Sequence, residues 1–171
     1  NVLDADGNVF VDLTSAFGVA LLGHASPVVQ EALRGGSSLI HGMGDIHPPA
    51  PKLELLEKLA AFGPWPETKA ILSTGGSEAV EAALKTGALA SGRPGVLAFE
   101  GAYHGLTAGS LSATPRPHFR ALFEDRLYGG VAFAPFPDHL RDPTPDGADS
   151  LEAVRDALKQ GAPNGDPIGT I

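Results

Sequence analysis

The chain has 171 residues, of which 43% are hydrophobic and 19% charged, so it is long enough to bury one sizeable core. Its formal net charge of −8 argues against a nucleic-acid surface, because phosphate backbones are bound by clustered lysine and arginine. It has no cysteine, which excludes a disulfide framework and a thiolate metal site. No run is apolar enough to span a bilayer and no signal peptide opens the sequence, so we expect a soluble, cytoplasmic protein without a membrane partner.

The N-terminal segment, residues 1–49, predicts a hairpin, a short helix and a loop. Residues 2–12 are typical of a β-hairpin, with Asp6-Gly7 as a favoured two-residue turn. A helix is predicted over Pro27–Arg34, with Ser26 as its N-cap.

Three histidines of this segment carry no metal-binding pattern. His24 follows a glycine, and we interpret it as a hydrogen-bonded loop histidine. His41 and His47 lie in the loop, but no carboxylate or further histidine stands at ligand spacing from them. We therefore predict no metal site.

From residue 50 onward, strand and helix patterns alternate along the chain. From Ala70 this alternation predicts parallel βαβ units and an α/β fold. The predicted elements are a helix from Pro51 to Gly63, a buried strand over Lys69–Leu72, a helix over Ser77–Ala90, a strand from Val96 to Phe99, a short helix over Leu106–Ser112, a helical stretch over His118–Tyr128, a strand over Gly130–Ala134, a long loop over Pro135–Ala148, a helix capped by Asp149, and a final strand within Asp166–Ile171.

The turn before the Ser77–Ala90 helix contains two glycines and a serine. A strand that passes through Gly75 and Gly76 into a helix presents free backbone N–H groups and the positive end of the helix dipole, and Ser77 adds a hydroxyl. That combination suits a phosphate dianion. The alternative is an ordinary glycine turn with Ser77 as N-cap.

A second glycine-containing loop follows the next strand and carries Tyr103, His104 and Gly105. Ligands of open α/β sheets lie beyond the carboxyl ends of the strands, and both loops leave such ends. A phosphate cradle and an aromatic ring could therefore face one ligand. A phosphorylated planar cofactor fits this pair better than a sugar phosphate.

The segments GGSEAVEAALK and FEGAYHG resemble the class III aminotransferases, whose members include ornithine, acetylornithine and 4-aminobutyrate aminotransferases. The resemblance implies an incomplete fold type I PLP-dependent transferase (aspartate aminotransferase-like), with pyridoxal 5'-phosphate (PLP) as cofactor. Residues 1–49 would be its N-terminal hairpin segment and 50–171 the first part of its large parallel-sheet, PLP-binding domain. The full-length protein would be a homodimer that moves an amino group from an amino acid or ω-amine to a 2-oxo acid.

The resemblance implies cofactor-binding roles for six residues. Gly76 and Ser77 would bind the phosphate, Tyr103 would stack on the ring, and His104 would position its neighbours. Gly75 replaces a serine that is common in the family, which leaves the backbone cradle intact. The full set is Gly75, Gly76, Ser77, Tyr103, His104 and Gly105.

Two further requirements of PLP chemistry have no candidate in this chain. The cofactor needs a carboxylate at its pyridine nitrogen and a lysine that forms a Schiff base. In the family both lie downstream of Ile171, so we predict that these 171 residues alone are inactive. The lysines present stand on ordinary helix positions or before a strand: Lys52, Lys58, Lys69, Lys85 and Lys159.

A few further side chains could contact the substrate or form ion pairs. The spacing from Asp12 to His24 places Phe17 where relatives carry a Tyr or Ile that lines the substrate pocket, although Phe17 could equally be an ordinary packed residue. Glu81 and Lys85 form an i,i+4 pair. Arg116, Arg120 and Arg126 could bind an acidic substrate, but we favour a solvated helix face.

Two other functions remain open. One is a non-catalytic module of this fold that binds a phosphorylated ligand or a partner. The other is a different PLP enzyme on the same scaffold, such as an aminomutase or a decarboxylase.

Overall fold

The computed structural model describes residues 1–39, 46–138, 140 and 147–171. They form two compact units, residues 1–69 and 70–171. The division lies later in the chain than the expected boundary at 49/50, because the second helix groups with the first unit. Within the described part of the chain, no helix has the length and apolar character needed to cross a membrane.

The first unit contains a hairpin and two helices, as predicted. Strands β1 and β2 are antiparallel, with Val2 opposite Phe10. The elements are β1 (Val2–Leu3), β2 (Val9–Phe10), α1 (Pro27–Gly36) and α2 (Ala50–Phe62).

The hairpin turn is one residue longer than the predicted Asp6-Gly7 turn. Asp4 and Asn8 close it, with Asp4 N donating to Asn8 O over 3.1 Å. Gly7 N donates to Asp4 O over 3.2 Å, and Gly7 has a φ of +86°. This is a type I turn followed by a left-handed glycine, the usual three-residue hairpin. The Asp4 carboxylate favours it, since it accepts from the backbone N–H groups of Asp6 and Asn8.

The second unit is a three-stranded sheet with helices. All strand pairs are parallel and the order is β4-β3-β5, which confirms the predicted βαβ units. In chain order the elements are α3 (Gly76–Ser91), β3 (Gly95–Phe99), α4 (Ala108–Ser112), α5 (Pro117–Arg120), a 3-10 helix over Ala121–Arg126, β4 (Val131–Ala134), α6 (Ala148–Gln160) and β5 (Ile168–Thr170).

Both faces of the central strand β3 are covered, which explains why its sequence is continuously apolar. Successive side chains of a strand point to opposite faces. Val96 and Ala98 pack with Ala113 and Val131 on the face where α3 contributes Leu84. On the other face Leu97, only 1% exposed, joins a cluster against which side chains of α6 pack.

The predicted buried strand over Lys69–Leu72 is wrong for this structure. The segment is not assigned to a strand and Ile71 is 71% exposed. A strand needs a hydrogen-bonded neighbour, and the edges of the described sheet are formed by β4 and β5 with β3 between them. An apolar run alone does not supply that neighbour.

Two helix starts also differ from the predicted ones. Gly75, in extended conformation, is the N-cap of α3, so Ser77 is already in the first turn. Gly147, with a φ of +74°, precedes α6, and Asp149 therefore lies inside that helix. In both places a glycine takes the non-helical backbone conformation that precedes a helix.

Candidate functional site

The N-terminus of α3 presents backbone N–H groups with free space around them. Gly75, Gly76 and Ser77 follow one another there, and a Cβ added to either glycine would meet no atom within 4 Å. Within the described chain the N–H groups of Gly76 and Ser77 have no backbone acceptor. These donors and the positive end of the 16-residue α3 helix suit a phosphate group.

The backbone before α3 is held by a capping interaction. Glu78 Oε2 accepts from Thr74 N over 2.9 Å and from Thr74 Oγ1 over 2.6 Å. These hydrogen bonds hold the pKa of the Glu78 carboxyl below its usual value. The arrangement resembles a capping box, in which the third helical residue reaches back to the chain before the helix.

The second predicted loop contacts the first turn of α3. Ser77 Oγ accepts from Leu106 N over 3.2 Å. Gly105 is buried and packs on Ser77 so closely that a Cβ there would overlap Ser77 Oγ and lie 2.8 Å from Ser77 Cβ. Its φ of +124° is also a conformation that only glycine adopts readily. The structure therefore brings Ser77 and Gly105 together. This contact is necessary if the two glycine-containing loops are to face one ligand.

The Ser77 hydroxyl still has a proton to donate. A hydroxyl carries one donor and two acceptor lone pairs, and the bond from Leu106 uses only an acceptor position. The described residues provide no acceptor for this proton. Ser77 can thus hold the loop and donate to an anion at the same time.

Tyr103 and His104 lie in the same loop, but the Tyr103 side chain is more exposed than that of His104. The Tyr103 ring is half exposed and packs edge-on against Phe119, with ring centroids 5.3 Å apart. His104 is partly buried, and its backbone N–H donates to Thr114 Oγ1 over 3.0 Å. A half-exposed ring supported by a second aromatic ring is suited to stacking on a planar ligand.

Two of the arginines donate to backbone carbonyls, and Arg120, whose side chain is 17% exposed, is not part of the solvated face that we favoured for it, whereas Arg116 is exposed. The Arg116 guanidinium donates twice to Gly101 O, over 3.1 and 2.7 Å. Arg120 donates to Thr114 O over 3.2 Å and lies over the Phe133 ring. Arginine suits such sites because its planar fork presents several donors at once.

Glu81 caps α4, a contact that the sequence pattern did not indicate. Its Oε1 accepts from Thr107 Oγ1 over 2.8 Å and from Gly109 N over 2.6 Å. The predicted partner Lys85 is 3.9 Å away and largely exposed. The sequence held one indication of this contact: Ser77 and Glu81 are four residues apart, which puts both side chains on one face of α3.

The remaining candidates lie in the first unit. Phe17 is 95% exposed and has a φ of +58°. His24 Nε2 lies 2.8 Å from Asp12 Oδ2, which confirms the hydrogen-bonded loop histidine. His41 lies outside the described residues. Among the described residues, no group of three His, Cys, Asp or Glu side chains could hold a metal ion.

Two lysines of the second unit make ion pairs with side chains of their own helices. Lys85 Nζ pairs with Glu81, and Lys159 Nζ lies 3.3 Å from Asp156. Neither Ser73–Ser77 nor the loop from Glu100 to Thr107 contains a lysine. The two candidate ligand-binding segments therefore contain no amine nucleophile of their own.

Comparison with known proteins finds relatives over most of the chain. The model of the family Aminotransferase class-III matches residues 1–164. A [LysW]-aminoadipate semialdehyde/glutamate semialdehyde transaminase of Sulfolobus acidocaldarius is 39% identical over 135 residues, which are 79% of this chain and 35% of that protein. An alanine/serine racemase of Pyrococcus horikoshii is 33% identical over 140 residues, 81% of this chain and 30% of that protein.

A solved structure confirms the fold. The taurine:2-oxoglutarate aminotransferase of Bifidobacterium kashiwanohense, in complex with PLP and glutamate, matches with a TM-score of 0.75 at 24% identity. The match covers 92% of this chain and 35% of that one. The chain thus spans about a third of the length of the proteins that it matches.

Proposed function

Because the chain belongs to the class III aminotransferase family, we propose that the full-length protein is a PLP-dependent aminotransferase. It transfers an amino group from an amino acid or ω-amine to a 2-oxo acid. Residues 1–171 supply the part of the site that binds the cofactor. The covalent lysine and the carboxylate for the pyridine nitrogen come from the rest of the protein.

One observation carries the proposal: the first turn of α3 and the Tyr103–Gly105 loop are joined at Ser77. Gly76 and Ser77 offer free donors for a phosphate, while the loop bonded to Ser77 presents a half-exposed aromatic ring. A phosphorylated aromatic ligand matches this pair of features. A simple phosphate-binding site has no need of the ring.

Each of these residues has a defined task toward the cofactor. When bound, PLP acts as an electron sink for the carbon that carries the amino group. Gly76 and Ser77 hold the phosphate through backbone N–H groups and the Ser77 hydroxyl, and the extended Gly75 leaves room for it. Tyr103 stacks on the ring, and His104 acts as a positioning residue whose backbone is tied to Thr114.

The proposal is tested by cofactor binding and turnover in the full-length protein. We expect PLP to bind and glutamate to form from 2-oxoglutarate with a suitable amino donor. Gly76→Asp should abolish PLP retention, because it adds bulk and negative charge beside a dianion. Undiminished PLP occupancy in Gly76→Asp would refute the cradle, and PLP binding without amino transfer to any 2-oxo acid would refute the activity.

Phe17 is our proposed substrate residue. It offers only apolar surface where relatives carry Tyr or Ile, so donors without an α-carboxylate should be accepted. Phe17→Tyr adds a hydroxyl that can bind an ornithine-like donor, and such a polar contact discriminates strongly. We expect kcat/KM for ornithine relative to 4-aminobutyrate to rise. A constant ratio would show that Phe17 does not contact the donor.

A second PLP activity is favoured by one comparison, the match to the alanine/serine racemase. The cofactor-binding residues discussed above would serve a racemase equally well. Measuring the optical rotation of a single amino acid incubated without a 2-oxo acid separates racemisation from transfer. A homodimer in the cytoplasm is proposed from the family resemblance.

A further inference from the structure

Glu81 belongs to α3 but makes its contacts with the N-terminus of α4. Its Oε1 accepts from Thr107 Oγ1 over 2.8 Å, from Gly109 N over 2.6 Å and from Ser110 N over 3.3 Å. Thr107 is the N-cap of α4 yet makes no side-chain capping bond of its own. A carboxylate from a neighbouring helix therefore replaces the local cap, through charge-assisted hydrogen bonds.

The backbone of α4 leaves space for this carboxylate because residue 109 is glycine. A Cβ at Gly109 would lie 2.6 Å from Glu81 Oε2 and 2.8 Å from Oε1. Both distances are well inside van der Waals contact, so a methyl group there would displace the carboxylate. Gly109 thus offers a way to break the contact without changing Glu81.

Glu81 and Ser77 stand four residues apart on the face of α3 that meets the loop. Ser77 binds the loop at Leu106 N and Glu81 binds it at Thr107. The loop is also held at its start, where Arg116 donates to Gly101 O. Along the chain, Tyr103 lies between the attachment point at Gly101 and those at Leu106 and Thr107.

The ion pair with Lys85 does not explain the position of Glu81. Lys85 Nζ lies 3.9 Å from Oε2 and its side chain is 74% exposed, whereas the Glu81 side chain is 23% exposed. Exposed pairs of this kind stabilise proteins very little. Lys85→Ala therefore provides a matched control that removes the charge partner and keeps the cap.

We infer that Glu81 is a positioning residue for the cofactor site: by tying α4 and Thr107 to α3, it fixes the distance between the Tyr103 ring and the phosphate cradle at Gly76 and Ser77. This inference rests on the proposed function, since it assigns Glu81 a role toward the same cofactor. The hydrogen bonds of the Glu81 carboxylate go to Thr107, Gly109 and Ser110 rather than to the cradle or to Tyr103.

The first test measures the tether in the cofactor-free, full-length protein by hydrogen exchange. In Glu81→Ala and Gly109→Ala, amides of the segment 101–112 should exchange faster than in the parent, while β3 stays protected. Lys85→Ala should match the parent. Unchanged exchange of 101–112 in Glu81→Ala would overturn the inference, and so would equal acceleration of β3, which indicates a general loss of stability.

The second test is a double-mutant cycle on PLP affinity. Tyr103→Ala should weaken PLP binding by about tenfold, and Glu81→Ala by about three- to tenfold. If Glu81 acts through Tyr103, the double variant should lose little more than Tyr103→Ala alone, about ten- to twentyfold. Glu81→Gln, which keeps an acceptor oxygen, should recover part of the affinity.

The outcomes separate the inference from the proposed function. Losses that multiply in the double variant, or a Glu81→Ala protein that binds PLP like the parent, overturn the positioning role and leave the aminotransferase proposal intact. A parent protein that does not bind PLP overturns both.

Discussion

Gly105 is the residue at which the two halves of the proposed cofactor site meet. It is buried, has a φ of +124°, and packs directly on Ser77. Thr114, which is fully buried, holds the adjacent backbone: its Oγ1 accepts from His104 N and lies 3.2 Å from Gly105 O. Gly105 is therefore required for both its backbone conformation and its missing side chain.

A substitution at Gly105 tests this requirement. We expect Gly105→Ala to lower the free energy of unfolding by about 3 kcal/mol or more, because overpacking adds to backbone strain. Gly101→Ala is the matched control: its φ is +78° and a Cβ there meets nothing within 4 Å, so about 1–2 kcal/mol is expected. Denaturant unfolding measures both. If both substitutions lowered the free energy of unfolding equally, the close contact between residue 105 and Ser77 would contribute nothing to the cost of Gly105→Ala.

At the scale of elements, α3 organises the second unit. It contributes Leu84 to the core beside β3, and its N-terminus forms the proposed phosphate cradle. Its Glu81 side chain caps α4. Burial tends to raise the pKa of the Glu81 carboxyl, but the hydrogen bonds from Thr107, Gly109 and Ser110 and the charge of Lys85 outweigh it, so the pKa lies below its usual value.

This lowered pKa predicts how the junction between α3 and α4 responds to acid. A carboxyl whose folded pKa is below its ordinary value of 4.5 stabilises the fold above that value, and the stabilisation is lost as pH falls through the folded pKa. Glu81→Gln should therefore be less stable than the parent near neutral pH, and the difference should narrow below about pH 4.5.

Unfolding free energies of the parent and Glu81→Gln, measured from neutral to acidic pH, check this prediction. Lys85→Ala serves as the control, since it leaves the cap in place and should keep most of the parent's acid response. If the difference in unfolding free energy between the parent and Glu81→Gln stayed constant from neutral to acidic pH, the Glu81 carboxyl would not have the lowered pKa that this prediction assumes.

At the scale of the whole molecule, neither of the two segments proposed to bind the cofactor contains a lysine that could attach it covalently. Lys85 pairs with Glu81 and Lys159 with Asp156. The chain also leaves Ile71 and Phe17 exposed, at 71% and 95%.

We predict that a polypeptide of residues 1–171 does not catalyse amino transfer, because no lysine stands at the cradle or in the Tyr103 loop. The measurement is glutamate formation from 2-oxoglutarate with PLP and 4-aminobutyrate or ornithine. The full-length protein and free PLP are the two controls. A rate clearly above that of free PLP would show that one of the five lysines reaches the cofactor.

The sequence by itself determined the features that depend on short-range chemistry. The hairpin, the helices and the parallel strands were predicted from turn residues, capping residues and apolar periodicity, which act over a few neighbouring residues. The Gly75–Ser77 turn and the Tyr103 loop were identified as cofactor segments from their motifs, and their roles stay predictions.

The tertiary structure decided what depends on residues far apart in the chain. Lys69–Leu72 has the composition of a buried strand, but only the sheet shows that no described neighbour pairs with it. Glu81 looked like the partner of Lys85, whereas a helix that starts at Ala108 places stronger donors beside it. Arg120 looked solvated, but the fold covers it and brings Thr114 O to it. Hydrogen-bond partners of this kind are set by packing between elements, and no local pattern encodes them.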